Sequence, residues 1–79
     1  MPKYFFHIRD GWEITPDEEG MDFPNLELAE VEGYASAQDL ASAALFEGRG
    51  TAAYAVEVAD EVGTVLSRIR VELIHRFAS

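Results

Sequence analysis

Pro24-Asn25 and Gly48 bracket a long stretch with no proline and a single glycine, and this bracket constrains the fold more than any other feature. Alanine recurs through it, Asn25 suits an N-cap, and Glu27, Glu30 and Glu32 in the opening turns oppose the positive end of a helix dipole. Gly48 and Gly50 supply the stop. The spacing predicts one helix over residues 25–47. On both sides of it the apolar period falls to two, so the helix must pack on strands.

The first strand is expected over residues 3–9, with Tyr4, Phe6 and Ile8 on one face and Lys3, Phe5, His7 and Arg9 on the other. Asp10-Gly11 predicts a type I′ hairpin turn with both residues at positive φ. Two short extended segments follow, 12–14 and 21–23, and alternation does not decide which one pairs with the first strand. Trp12 is expected to cover one end of the core. Residues 51–59 alternate with Tyr54, Val56 and Val58 on one face, and 60–63 form a hairpin loop of type I closed by Gly63. The last strand is expected over 64–71, with Val65, Ser67, Ile69 and Val71 facing one way. The fold class is therefore α+β: a single domain over 1–79, in the order β-β-α-β-β, with a small antiparallel sheet carrying one helix on one face. Residues 73–79 are expected to form a loose tail.

The helix has two apolar sides. At 100° per residue, Leu26, Ala29, Gly33, Ala37, Leu40 and Ala44 form a narrow stripe of mostly small side chains suited to a close approach to the sheet. Leu28, Val31, Tyr34, Ala35, Leu45 and Phe46 lie largely opposite. One helix over one sheet buries a single side, so the second is expected to be left over. A homodimer follows as the expected partner arrangement, with contact toward Tyr34, Leu45 and Phe46, away from the acids at the helix start. Pairing along a strand edge is the rival geometry, because no proline interrupts either edge.

Charge narrows the function. The net charge of −9 comes from residues 10–32, which hold nine acids and no base; the rest of the chain balances. Such a domain repels duplex DNA. With no cysteine, no leading apolar segment and no run near the ~20 residues of a membrane span, a soluble cytoplasmic protein is expected, without membrane contact.

The opening Tyr4-Phe5-Phe6-His7-Ile8-Arg9-Asp10-Gly11 resembles a family of short bacterial proteins, domain of unknown function 6894, with its N-terminal YFFHxRDG-type motif. Asp17-Glu18-Glu19-Gly20, the Leu26…Ala29 helix start and Val58-Ala59-Asp60-Glu61-Val62-Gly63 are also similar to it, so the resemblance runs over about residues 1–69. It implies a compact cytoplasmic domain and brings no catalytic residues.

The residues themselves argue against chemistry. His7, Asp10, Glu13, Asp17, Glu18, Glu19 and Asp22 are hard ligands, but their spacing does not match a calcium loop, and the second imidazole that zinc would want, His75, is far along the chain. No metal and no cofactor is expected. No serine sits in a nucleophile elbow, and Gly48-Arg49-Gly50 precedes a strand, the reverse of a phosphate loop. The outer sheet face is expected to carry Lys3, Phe5, His7, Arg9, Arg68 and Arg70, with Glu57 and Glu72 balancing the arginines. The expected function is a small acidic interaction or regulatory module, self-associating, open to another protein partner, and not an enzyme. A weak single-strand nucleic-acid binder using that basic face is the alternative. A small enzyme or a carboxylate metal binder is the second.

Overall fold

In the computed structural model, which describes residues 1–48 and 50–74, six elements follow the expected order. They are β1 (Lys3–Asp10), β2 (Glu13–Thr15), β3 (Met21–Asp22), α1 (Leu26–Phe46), β4 (Thr51–Ala59) and β5 (Val65–Ile74). One antiparallel sheet has the strand order β2-β1-β4-β5, and β3 also pairs with β1. Both candidate segments after the first turn therefore pair with β1. Ile8, Arg9 and Asp10 oppose β2, while Lys3 and Tyr4 oppose β3.

Asn25 caps α1: its Oδ1 accepts the Leu28 N–H at 2.9 Å. Ala29, Gly33, Ala37, Ala41 and Ala44 are the buried residues of α1, so its inner side is nearly smooth. A Cβ on Gly33 would stand 2.9 Å from Ile69 Cδ1 and 3.3 Å from Val58 Cγ2, so only glycine permits this approach unstrained. α1 lies over β4 and β5 more than over β1. Alanines stacked on Val56, Val58 and Val71 form most of the core, and Phe6, Phe23 and Ile69 close one end of it. The Phe6 and Phe23 rings meet edge to face, with centroids 5.9 Å apart.

Several expectations fail locally. Glu13 pairs with Asp10, so the first hairpin turns on Gly11-Trp12, and Gly11 alone has positive φ, as the first position of a type II′ turn requires. Asp10 remains in the strand. Trp12, at the tip of that turn, lies beyond the reach of the core and is fully exposed. The register slips between Val58 and Ala59, so Val65 pairs with Ala59 and leaves the helix-facing row, 45% exposed. β5 also runs past Val71 to Ile74, taking in Leu73 and Ile74; residues 75–79, His75 among them, lie outside the described residues.

Candidate functional site: the outer sheet face and its edges

Among the described residues, the face of the sheet away from α1 holds one buried charge. Glu57, in the middle of β4, sits opposite His7 on β1 and Arg68 on β5, and is only 5% exposed. Among the described residues no helix covers this face; two arginines do. Arg9 Nε donates to Glu57 Oε2 at 2.8 Å, and Arg68 donates through Nε at 2.9 Å and Nη2 at 2.5 Å. Burial pushes the Glu57 carboxyl up, but the hydrogen bonds and charges of Arg68 and Arg9 outweigh it and hold the group below its ordinary value. Beside them an open hollow of about 420 Å³ runs over Ala53 and Ala55, rimmed by Arg9, Arg68 and Arg70. Arg70 lies 3.8 Å from Glu72 of the same strand, with both side chains largely exposed.

Phe5 and His7 share this face but serve the loop before β3. That loop has to cover a stretch of β1 that neither β2 nor β3 reaches, where Phe6 would leave its N–H unpaired. Asp17 fills the gap. Its Oδ2 accepts the Phe6 N–H at 3.1 Å, and its Oδ1 accepts those of Glu19 and Gly20 at 3.1 and 3.2 Å. The Asp17 N–H in turn donates to His7 Nδ1 at 3.0 Å. Burial raises the Asp17 carboxyl, but the N–H groups of Phe6, Gly20 and Glu19 outweigh it, so the net shift is downward. Phe5 lies close to Gly20, where a Cβ would come within 3.0 Å of its ring. The best-placed loop acid thus has both oxygens on backbone donors. Among the described residues, no three His, Asp or Glu side chains gather as a cation would need.

On α1, Tyr34 and Phe46 are 51% and 95% exposed, with Leu28 and Val31 also in solvent. Leu45 does not join them. It is half-buried and packs on the core cluster of Ala37, Ala41, Ala44, Ala52, Val56 and Val71. The structure therefore brings Arg9, Arg68 and Arg70 together, ties Phe5 and His7 to the loop, and leaves Tyr34 and Phe46 apart on the helix.

The two sheet edges differ. Beyond β1 the edge is broken into strands of three and two residues with the Asp17 loop between them. Beyond β4 it is β5, ten residues long and without proline.

A family model described as a domain of unknown function (DUF6894) matches residues 3–72. The chain belongs to this family. The DUF6894 match takes in β1 through β4 and most of β5, and its description assigns no activity. The chain matches no curated protein and no solved structure. Among the described residues, no helix is long and apolar enough to cross a membrane.

Proposed function

We propose that this DUF6894 chain is an acidic cytoplasmic interaction module of the bacterial kind its first motif resembles, without catalytic chemistry, and that it works as a homodimer. The observation that carries this reading is the inequality of its sheet edges. Proteins blunt open edges because unpaired N–H and C=O groups recruit other strands. Here the β2/β3 edge is short and plugged by Asp17, whereas among the described residues no strand pairs with the outer edge of β5 along its ten residues. A second copy is the partner always present at matching concentration, and two-fold pairing closes the assembly. Sedimentation equilibrium at tens of micromolar tests the reading: a dimer is expected, and an 8.8 kDa monomer overturns it.

The hollow rimmed by Arg9, Arg68 and Arg70 favours a second reading, a weak single-strand nucleic-acid binder. Against it, Arg9 and Arg68 are both engaged by Glu57, and Phe5 is engaged beside Gly20 rather than free to stack. Duplex DNA is disfavoured by the charge of −9. An enzyme or a metal carrier gains no support from Asp17 or Glu57, since each is occupied by protein donors.

A further inference from the structure

We propose that two copies of the chain join through β5 in one antiparallel register, centred on Val71 facing its own symmetry mate, to make one continuous sheet of ten strands. The proposal rests on the self-association read above and names its surface.

The backbone of β5 shows which groups are available. Phe6 directs its N–H toward the Asp17 loop, so the alternate residues Phe5, His7 and Arg9 point their main-chain groups at β4. Their partners Ala59, Glu57 and Ala55 face back toward β1, which leaves Tyr54, Val56 and Val58 directed at β5. Opposite these, Val71, Ile69 and Ser67 complete the ladder. Arg68, Arg70, Glu72 and Ile74 therefore turn their N–H and C=O groups toward the open edge.

Side chains then select the register. With Val71 on the two-fold axis, Arg70 stands opposite Glu72 of the second copy and Glu72 opposite its Arg70, both on the outer face. On the inner face Ile69 meets Leu73, and Val71 meets Val71. The available groups form hydrogen-bonded pairs in this arrangement, about eight main-chain bonds in all. The next registers either way set Arg70 against Arg70, or Glu72 against Glu72, which like-charge repulsion disfavours. One register alone satisfies charge, apolar match and backbone direction together.

The helix fits the same arrangement. Ser67 Oγ donates to Glu30 Oε2 at 2.6 Å, which marks the α1 flank that overhangs β5. Tyr34, Gln38 and Leu45 continue that flank at helical spacing. Strand spacing places the two helices roughly 10 Å apart across the axis, an ordinary packing separation, and antiparallel.

The test is sedimentation equilibrium at tens of micromolar on the wild-type chain, Arg70→Glu, Glu72→Arg, the double swap and Phe46→Asp, with circular dichroism confirming folding. The wild type is expected to be a dimer, each single reversal to raise Kd roughly tenfold through two symmetric pairs, and the swap to restore it. Phe46→Asp is expected to leave the dimer intact. A dimer that ignores both reversals, or that Phe46→Asp dissociates, overturns the β5 contact while leaving self-association standing. A monomeric wild type overturns both. Should a reversal fail to fold, wild-type amide exchange decides. Slowed exchange at Arg68, Arg70 and Glu72 on raising the concentration supports the edge, and unchanged rates overturn it.

Discussion

Glu57 is the residue whose replacement tests the outer face most directly. It is a carboxylate buried to 5% exposure on a face that no other described element covers, held by three N–H donors from Arg9 and Arg68. Removing one partner of a buried ion pair costs about 3–5 kcal/mol when the remaining charge stays dry. The arginines here are 41% and 61% exposed, so after Glu57→Gln they rehydrate, and the expected loss is smaller, about 1–2 kcal/mol. In a domain of this size that lowers Tm by roughly 5–15 °C. The reverse deletions are asymmetric. Arg9→Met or Arg68→Met alone leaves Glu57 one guanidinium, whereas the double variant leaves a buried carboxylate with none. Urea denaturation should therefore show the double variant losing about 1 kcal/mol or more beyond the sum of the singles. Additive losses, or a Glu57→Gln variant as stable as the wild type, would refute the claim that this carboxylate is buried and dependent on both arginines.

Asp17→Asn replaces one of two loaded carboxylate oxygens by an amide, and should cost about 1–2 kcal/mol in urea denaturation. Because the folded Asp17 carboxyl is lowered relative to the unfolded chain, its contribution is complete above the unfolded value of about 4 and is lost as pH falls through the folded one. Stability of Asp17→Asn measured from pH 7 to pH 3 should accordingly fall less than that of the wild type. Gly33→Val should cost about 2–3 kcal/mol, since its branched side chain drives α1 off Ile69 and Val58, while Ala35→Val on the exposed side should change stability by less than about 1 kcal/mol. Equal denaturation midpoints for these two variants would show that α1 is not held close at Gly33.

What the residue pattern made legible is what local physics determines. Asn25 caps the helix because its side chain competes for nearby N–H groups whatever the rest of the chain does, and the stripe from Ala29 to Ala44 is buried because only small side chains recur at that spacing. Trp12 shows the limit. Its composition suits a core, yet a two-residue turn at Gly11-Trp12 carries it past the end of the sheet. Val65 fails for a related reason: one extra residue in a bulge reverses the direction of everything before it, and alternation carries no mark of the slip. Asp17 and Glu57 could be placed in a loop and on an outward row, but not recognised as anchors. The Asp17 bond to Phe6 exists because β2 and β3 leave part of β1 unpaired, and Glu57 is buried because Arg9 and Arg68 arrive from two other strands. The Asp-x-x-Gly run at Asp17 was the available signal, since aspartate readily accepts N–H groups two and three residues on.

These two anchors also change what the charge distribution means. The acids of residues 10–32 gave the chain its net charge, and the balanced remainder looked electrically neutral without further order. In the fold, Asp17 is committed to the loop backbone and Glu57 to Arg9 and Arg68, so neither of those arginines is a free cation on the outer face. The negative field is left to the loop and to α1, which has no base along its length. Arg70 and Glu72 remain, one of each sign, two residues apart on the long open edge. An edge bearing one acid and one base in alternate positions is complementary to itself when reversed. The β5 pairing proposed above uses this self-complementary edge.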